Sequence, residues 1–354
     1  MRQVQSILRL AGAATLLLGS GAALQAQSIT PDNVSHTMNV GETFTINKSI
    51  TLGPGGATTV DLFFLGDNTG SMGGIIGKAQ SGATDIMNAL PAGYQFGVGA
   101  YFGDPSEGVD PSNAFVQNTA LTTNKAAAQA GIDDWIASGG GDTPEANFFA
   151  LKQVADSAGW RAEAQRLIVW FGDAPSHTAT TTQAEAIAAL QAADAKVVAF
   201  NSGSVGNGIY ESGQASAIIA GAGGSLTHNF LSVSDADFIT AVTDQITSAT
   251  SKIDLIFGSS LIGSGLTLNF MCTDPLGCDD VEGGETRTFD LSITANTPGV
   301  YSFNVFAQGV AAMEADRITV LGTTTPEPVS MVLLGTGLAG LGAVRRRRRN
   351  NQLA

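Results

Sequence analysis

Several residue types on which enzymes and zinc proteins depend are scarce in this sequence. Its 354 residues include only 2 cysteines and 3 histidines. Two cysteines cannot form a four-cysteine zinc site, and no histidine lies near them, so a structural zinc site is excluded. The histidines, His36, His177 and His228, are scattered, and no convincing Ser/His/Asp or Cys/His set is present. The composition therefore favours a protein that is not an enzyme.

Basic residues are also few, with 17 Lys and Arg against 31 Asp and Glu. Seven of the basic residues lie in the two ends, 1–27 and 328–354, which carry no acidic residue. The middle of the chain, 28–327, is therefore strongly acidic. Such a body lacks the basic surface that nucleic acid requires, so we expect no nucleic-acid partner. It suits cation binding and export instead.

The amino-terminal segment, 1–27, has the three parts of a secretory signal peptide. It begins with Arg2 and Arg9, continues with an apolar run over 10–18, and ends in small residues. We place the cleavage near Ala26, and a short core helix is the alternative interpretation. Export would permit a local disulfide between the two cysteines, which share the short segment CTDPLGC at 272–278. The predicted pair is Cys272 with Cys278.

The carboxyl-terminal segment, 325–354, also has three parts in order. Pro326, Glu327 and Pro328 precede an apolar, glycine-rich run over 329–344, and five arginines follow. The run is short for a full membrane span of about 20 residues, and the arginines would hold its cytoplasmic side. An ordinary membrane anchor is the alternative interpretation.

This tripartite tail resembles the PEP-CTERM sorting signal of Gram-negative bacteria. The resemblance implies a transient inner-membrane anchor, recognition by an exosortase-type enzyme, removal of the tail, and retention at or release from the cell surface. Proteins with this tail usually accompany exopolysaccharide production. Both interpretations of the tail place residues 28–324 outside the cytoplasm.

A candidate cation loop follows the first strongly apolar strand, predicted over 60–65. The strand runs into Asp67, and two hydroxyl residues follow at alternate positions, Thr69 and Ser71. Oxygen ligands from one tight loop suit a hard divalent cation. The carboxyl end of a strand is also where open α/β sheets bind ligands. Taken alone, the same pattern fits an ordinary polar turn.

Apolar strands and amphipathic helices alternate through the middle of the chain. Strands are predicted at 60–65, 95–102, 166–171, 196–200 and 225–230, and helices at 74–90, 125–137, 144–158, 182–193, 215–222 and 235–249. The segment 103–124 is predicted to be a polar loop. This alternation indicates an α/β fold with a doubly wound, mostly parallel sheet.

Residues 58–250 resemble a von Willebrand factor type A domain. The sequence DNTGSM at 67–72 is similar to that family's metal-ion-dependent adhesion site, and GGGDTPEANFFAL resembles the form found in integrin β subunits. The strand in RLIVWFGDAPSH ends at an acidic residue, as the third loop of the family does. The resemblance implies Mg²⁺, or Ca²⁺ or Mn²⁺, bound by Asp67, Thr69, Ser71, Glu145 and Asp173.

The resemblance also implies how such a site would work: one coordination position stays open for a carboxylate of the partner. Thr143 is the second choice for the ligand assigned to Glu145. Asp142 is expected to contact a neighbouring cation or to orient the loop.

The two flanks of this domain, 28–57 and 251–321, show the period-two alternation of antiparallel strands. Together they contain about six predicted strands, enough for a small β-sandwich, whereas the first flank alone is too short. We therefore predict that the A-type domain is inserted into a split β-sandwich, with 40–52 paired to strands within 264–320. An independent carboxyl-terminal sandwich is the competing layout.

Three functions are compatible with these features. The favoured one is an exported cell-surface or matrix adhesion protein that uses the cation to bind acidic groups on a protein or an anionic exopolysaccharide. The second is a structural matrix protein in which the cation only stabilises the fold. The third and least favoured is a metal-dependent hydrolase with Glu145 or Asp173 as base.

Overall fold

A computed structural model describes residues 27–139, 143–202, 208–227 and 233–322, with isolated positions at 336, 341 and 345. Residues 1–26 of the predicted signal peptide lie outside the described residues, as do Pro326, Glu327 and Pro328 of the predicted sorting motif. Across the described ranges, no helix has both the length and the apolar character needed to cross a membrane.

The chain forms an amino-terminal flank, a central domain and a carboxyl-terminal flank. The first flank contains β1 (Ser28–Thr30), β2 (Ser35–Asn39) and β3 (Thr43–Thr51). The strands of the central domain are β4 (Val60–Asp67), β5 (Tyr94–Tyr101), β6 (Phe115–Thr122), β7 (Gln165–Gly172), β8 (Ala195–Asn201) and β9 (Gly224–Thr227). Its helices are α1 (Gly73–Ala89), α2 (Pro111–Ala114), α3 (Lys125–Asp133), α4 (Asn147–Ser157), α5 (Gln183–Ala192), α6 (Gln214–Ala222) and α7 (Asp235–Thr250). The second flank contains β10 (Lys252–Ile253), β11 (Phe257–Ser259), β12 (Leu266–Cys272), β13 (Val281–Glu282), β14 (Thr286–Ala295), β15 (Gly299–Ala307) and β16 (Met313–Leu321).

The central sheet has the strand order β6-β5-β4-β7-β8-β9, and β6 alone is antiparallel to its neighbour. The predicted α/β fold class is therefore confirmed. The prediction of a polar loop over 103–124 is wrong, because β6 lies within it. This strand is at the sheet edge and half exposed, so it carries polar residues where a central strand would be apolar.

Strand β4 lies at the middle of the sheet, and all eight of its residues are buried. Val60, Leu62 and Phe64 belong to one apolar cluster, which includes residues of α1 and α7. Phe63 and Leu65 belong to a second cluster, which includes residues of α4 and α5. Helices thus cover both faces, which explains the continuous apolar run. The neighbours of β4 are β5 and β7. The chain therefore first builds one side of the sheet, with β5 and β6, and then builds the other side of β4, with β7, β8 and β9.

The flanks form two four-stranded sheets, β1-β3-β14-β12 and β11-β15-β16-β2, and a short β10-β13 ribbon. Strand β3 pairs antiparallel with β14 along its full length, from Thr43 with Thr294 to Thr51 with Thr286. One sheet therefore contains strands from both flanks. The flanks contain more strands than the six or so predicted, because the additional strands are too short to show period-two alternation. The predicted disulfide between Cys272 and Cys278 is present at the end of β12.

Candidate functional site

The first loop of the site begins where β4 ends, at the fully buried Asp67. One carboxylate oxygen of Asp67, Oδ1, accepts hydrogen bonds from the Thr69 backbone N–H at 2.9 Å and from the Thr69 hydroxyl at 2.7 Å. The Thr69 hydroxyl lies 3.5 Å from the hydroxyl of Ser71. Since Ser71 is exposed while Asp67 and Thr69 are buried, the loop opens to solvent on the Ser71 side.

Backbone contacts from two neighbouring segments position this loop. The Asn68 N–H donates to the Tyr101 carbonyl at 2.9 Å, and the Gly70 N–H donates to the Gly139 carbonyl at 3.2 Å. At Gly66, a Cβ atom would lie 2.9 Å from the buried Trp135 ring. Glycine is therefore required for the chain to approach the indole this closely just before Asp67.

The second contributor, Glu145, is 3% exposed and lies against the loop that follows β7. Its N–H donates to the Pro175 carbonyl at 2.8 Å, and its carbonyl accepts from the His177 N–H at 2.8 Å. These bonds form a parallel bridge with Ser176. The prediction that a helix starts at 144 is wrong for this reason: the backbone of Glu145 pairs with that loop, and α4 begins only at Asn147.

The third contributor, Asp173, directly follows β7 and is fully buried. Strand β7 pairs with β4 in parallel, with Phe171 opposite Gly66. This register brings Asp67 and Asp173 to the same edge of the sheet, at the point where the chain reverses its direction of winding. A Cβ atom at Gly172 would lie 2.5 Å from the Tyr101 hydroxyl oxygen, so the tyrosine packs tightly beside this strand end.

The buried acids of these loops influence one another electrostatically. Burial, together with the charge of Asp173, raises the pKa of Asp67 to about 7, against the hydrogen bonds from Thr69 and Tyr101, which lower it. Burial also holds the pKa of the Tyr101 phenol well above its usual range, and the charges of Asp67, Asp173 and Glu145 act in the same direction. The three acids therefore lie near one tyrosine, and the buried negative charge of Asp67 is disfavoured unless a cation compensates it.

A family model and several solved structures resemble parts of this chain. A family model, the integrin beta chain VWA domain, matches residues 103–205, which include Glu145 and Asp173. The central domain is von Willebrand factor type A-like. A solved von Willebrand factor type A protein from Catenulispora acidiphila is 15% identical, with a TM-score of 0.41, over 86% of this chain and 76% of that one. The pilus adhesin SpaC from Lactobacillus rhamnosus GG is 8% identical, with a TM-score of 0.41, over 79% of this chain and 45% of that one. The chain thus spans less than half the length of that adhesin.

The predicted ligands of the A-like domain differ in their exposure. Asp67, Thr69, Glu145 and Asp173 are buried, whereas Ser71 and the alternative ligand Thr143 are exposed. Asp142 lies outside the described residues. Within the described ranges, no group of three or more His, Cys, Asp or Glu side chains is arranged to hold a metal ion by itself. The acidic side chains alone are therefore not sufficient to bind a metal ion. The full ligand set, which adds the hydroxyls of Thr69 and Ser71, stays a prediction.

Two features of the A-like domain fit a hard divalent cation. The second carboxylate oxygen of Asp67, Oδ2, is buried and makes no hydrogen bond of normal geometry with the described residues, and the Tyr101 hydroxyl interacts with the carboxylate closely enough to lower its pKa. The Thr69 hydroxyl donates its proton to Asp67, so its lone pairs are free to face a cation beside the Ser71 hydroxyl. Mg²⁺ usually keeps several waters, so direct contact with every acid is not required. The residues present therefore fit the predicted cation.

Sequence reasoning missed two buried polar residues at this edge. Tyr101, the last residue of β5, accepts a hydrogen bond from the Trp170 indole at 3.0 Å and donates one to the Phe171 carbonyl at 3.3 Å. Asp104 follows three residues later and is also buried. The rule that identified Asp67 and Asp173, an acid following a strand of the parallel sheet, would also have found Asp104.

Hydrogen bonds determine the ionisation of Asp104. Its Oδ1 accepts from the Ser106 N–H at 2.8 Å, from the Ser106 hydroxyl at 2.6 Å, and from the Thr180 hydroxyl. Burial alone would raise the pKa of Asp104, but these bonds outweigh it and hold the pKa below its ordinary value. Asp104 is therefore anionic at neutral pH and ties the loop after β5 to the segment after β7.

Tyr101→Phe is expected to destabilise the A-like domain by about 1–3 kcal/mol, because the buried Trp170 indole N–H would lose its acceptor. Urea unfolding followed by tryptophan fluorescence measures this, since Trp170 lies in the same domain. The matched control is Tyr210→Phe, which removes a hydroxyl from a side chain that is 40% exposed. Equal urea midpoints for the two variants would contradict the prediction.

Proposed function

We propose that this chain is an exported cell-surface or matrix adhesion protein. Its A-like domain would use a bound divalent cation to grip acidic groups on a protein or an anionic exopolysaccharide. The residues that would hold the cation are Asp67, Thr69, Ser71, Glu145 and Asp173. Bound there, the cation would supply a positive centre that accepts one more carboxylate oxygen.

The observation that carries this proposal is the meeting of buried acids from separate loops at one edge of the sheet. Asp67 and Asp173 follow adjacent parallel strands, and Glu145 is bonded to the loop behind Asp173. Burying the Asp67 carboxylate is costly without a counter-charge. No Lys or Arg ion pair with Asp67 is present in the described part of the chain.

The protein's own residues determine how the site would meet a partner. The hydrogen bonds from Thr69 fix the orientation of the Asp67 carboxylate and leave the lone pairs of the Thr69 hydroxyl free for a cation. Ser71 is the exposed member of the loop, so a partner would approach from its side. The predicted signal peptide and sorting tail support export, with an exosortase-type enzyme as the processing partner and the membrane as a transient one.

Binding to an acidic polysaccharide tests the proposal. Polygalacturonate is the defined anionic probe, and its methyl-esterified form is the matched uncharged one. Wild-type protein in Mg²⁺ should bind the first at least tenfold more tightly than the second, and EDTA should abolish this difference. Asp67→Ala should lose binding while the exposed acid variant Asp85→Ala keeps it. The same binding measurements are made with a protein extract of the cell surface as the second probe.

Three results would decide against this function. Binding that survives both EDTA and Asp67→Ala would show that the cation site is not used for adhesion. Loss of stability in EDTA with no cation-dependent binding to either probe would favour a structural matrix protein instead. Turnover of an ester, glycoside or peptide that depends on Glu145 would point to an enzyme.

A further inference from the structure

A buried lysine lies between the two sheets of the β-sandwich, outside the A-like domain. Lys48 belongs to β3 in one sheet and is 1% exposed. Across from it, on β16 of the other sheet, Glu314 and Asp316 are 4% and 2% exposed. The two acids occupy alternate positions of one strand, so they face the same side. All three side chains therefore meet inside the sandwich.

The lysine is in close contact with both acids. Its Nζ lies 2.6 Å from Oε1 of Glu314, and it lies 3.2 Å and 3.4 Å from the two carboxylate oxygens of Asp316. It also donates to the Pro31 carbonyl at 3.1 Å. The nearly equal distances to Asp316 mean that the amine faces the carboxyl group as a whole. Since the amine lies within about 3.5 Å of both oxygens, it is also held close to the carbon atom that joins them, which is the atom it would attack.

We propose that Lys48 and Asp316 form an intramolecular amide (isopeptide) bond, with Glu314 transferring the protons. The Lys48 Nζ forms a bond to Cγ of Asp316, and the bond from Cγ to Oδ2 breaks. An ammonium and a carboxylate give one amide and one water molecule, so no oxidant or other reactant is required. Glu314 takes a proton from the amine and delivers one to the departing oxygen, and it ends the reaction unchanged.

Asp316 is assigned as the acceptor because its carboxyl group has a donor suited to the reaction. The Val34 N–H donates to Oδ1 of Asp316 at 3.0 Å. A fixed backbone N–H at this oxygen stabilises the negative charge that develops on it when the amine attacks. No comparable backbone donor contacts Glu314 among the described hydrogen bonds, so Glu314 suits the proton-transfer role.

The electrostatics of the cluster support the same division of roles. Burial raises the pKa of Glu314 to about 7, and its hydrogen bond to Asp316 acts in the same direction. Glu314 can therefore hold a proton near neutral pH and exchange it with its neighbours. A buried ion pair also carries a large desolvation cost, which the neutral amide would remove. The dry surroundings would protect that amide from hydrolysis.

The position of the bond suggests its use. The two residues are 268 positions apart, and the A-like domain lies entirely between them. A covalent bond would therefore tie the two halves of the split sandwich together across the inserted domain. Force applied to a ligand on the A-like domain could then not pull the first flank out of the sandwich.

Peptide mapping of the purified full chain tests the proposal without depending on how its ends are processed. Trypsin does not cleave after an acylated lysine, so cleavage after Lys48 should be lost. The peptide ending at Lys78 should instead be joined to the peptide 288–317, with a mass one water below their sum. Fragmentation should place the link between Lys48 and Asp316. Separate peptides, with full cleavage after Lys48 in the folded protein, would show an ion pair only.

Variants assign the roles within the cluster. Asp316→Ala should abolish the linked peptide, and Glu314→Gln should lower its yield at least tenfold while circular dichroism shows a folded sandwich. The matched control, Glu282→Gln, changes an exposed acid of the same flank and should leave the yield unchanged. A wild-type yield in Glu314→Gln would overturn the proton-transfer role, and a link located at Glu314 would overturn the acceptor.

Discussion

Mg²⁺ added at pH 7.5 should raise the free energy of unfolding of the wild-type protein and should leave that of Asp67→Asn unchanged. The reason is the buried carboxylate of Asp67, whose Oδ2 makes no hydrogen bond of normal geometry with the described residues and whose pKa is raised by burial. A cation at this oxygen offsets the cost of burying the charge. The amide introduced by Asp67→Asn carries no charge to compensate, so the variant should be at least as stable as wild type when no cation is added.

The sign of the pH dependence follows from the direction of the shift. Burial raises the pKa of Asp67 to about 7 in the folded protein, above its value in the unfolded chain. The folded state therefore favours the protonated form, and the stability that Asp67 contributes is full below about pH 4. This stability is lost as the pH rises to about 7. For a pKa shift of this size, the free energy of unfolding falls by about 4 kcal/mol over that range. Mg²⁺ should act most strongly above pH 7, where it does not compete with the proton.

Urea unfolding followed by tryptophan fluorescence measures the effect, because Trp135 and Trp170 both lie in the A-like domain. At a concentration about 100-fold above its dissociation constant, Mg²⁺ should add about 2.7 kcal/mol. Asp85→Asn is the control for loss of an exposed carboxylate and should respond as wild type does. An equal response of Asp67→Asn and wild type would show that the cation acts elsewhere.

The sequence predicts which strand ends contribute to the candidate site, because the pattern that marks them lies within short segments. Apolar strands that end in an acid are visible in the chain, and parallel strands bring those ends to one edge. Asp67 and Asp173 could thus be assigned to the same edge from the sequence alone. Glu145 was found through resemblance, but the start of its helix was misplaced, because a long-range pairing with Ser176 outweighs the helix signal of Pro144.

Features that depend on long-range contacts could not be predicted. The edge strand β6 has little apolar periodicity, because one of its sides is exposed. Tyr101 appears in the sequence as an ordinary strand residue, and only the fold reveals the Trp170 contact. Lys48 appears as a polar residue in an alternating strand, where a solvent-facing side chain is expected. Its partners lie 266 and 268 positions away, so local periodicity cannot indicate a buried charge cluster.

Lys48→Met should be the most destabilising single change in the sandwich. It would leave Glu314 and Asp316 buried without their cation, and breaking a buried ion pair costs about 3–5 kcal/mol. If the amide forms, the variant also loses a covalent restraint on the unfolded chain, which adds to the cost. The tryptophans all lie in the A-like domain, so circular dichroism and hydrogen exchange of β3 and β16 are the appropriate measurements.

A compensated variant separates the charge effect from loss of packing. Lys48→Met combined with Glu314→Met and Asp316→Asn removes the charges and keeps an oxygen that can accept from the Val34 N–H. Because apolar replacements of a buried ion pair are often neutral or stabilising, this variant should recover most of the stability that Lys48→Met loses. It cannot recover the covalent restraint. Any remaining difference from wild type in the free energy of unfolding therefore reports the contribution of the amide bond. Lys48→Met within about 1 kcal/mol of wild type would contradict the burial of the charged cluster.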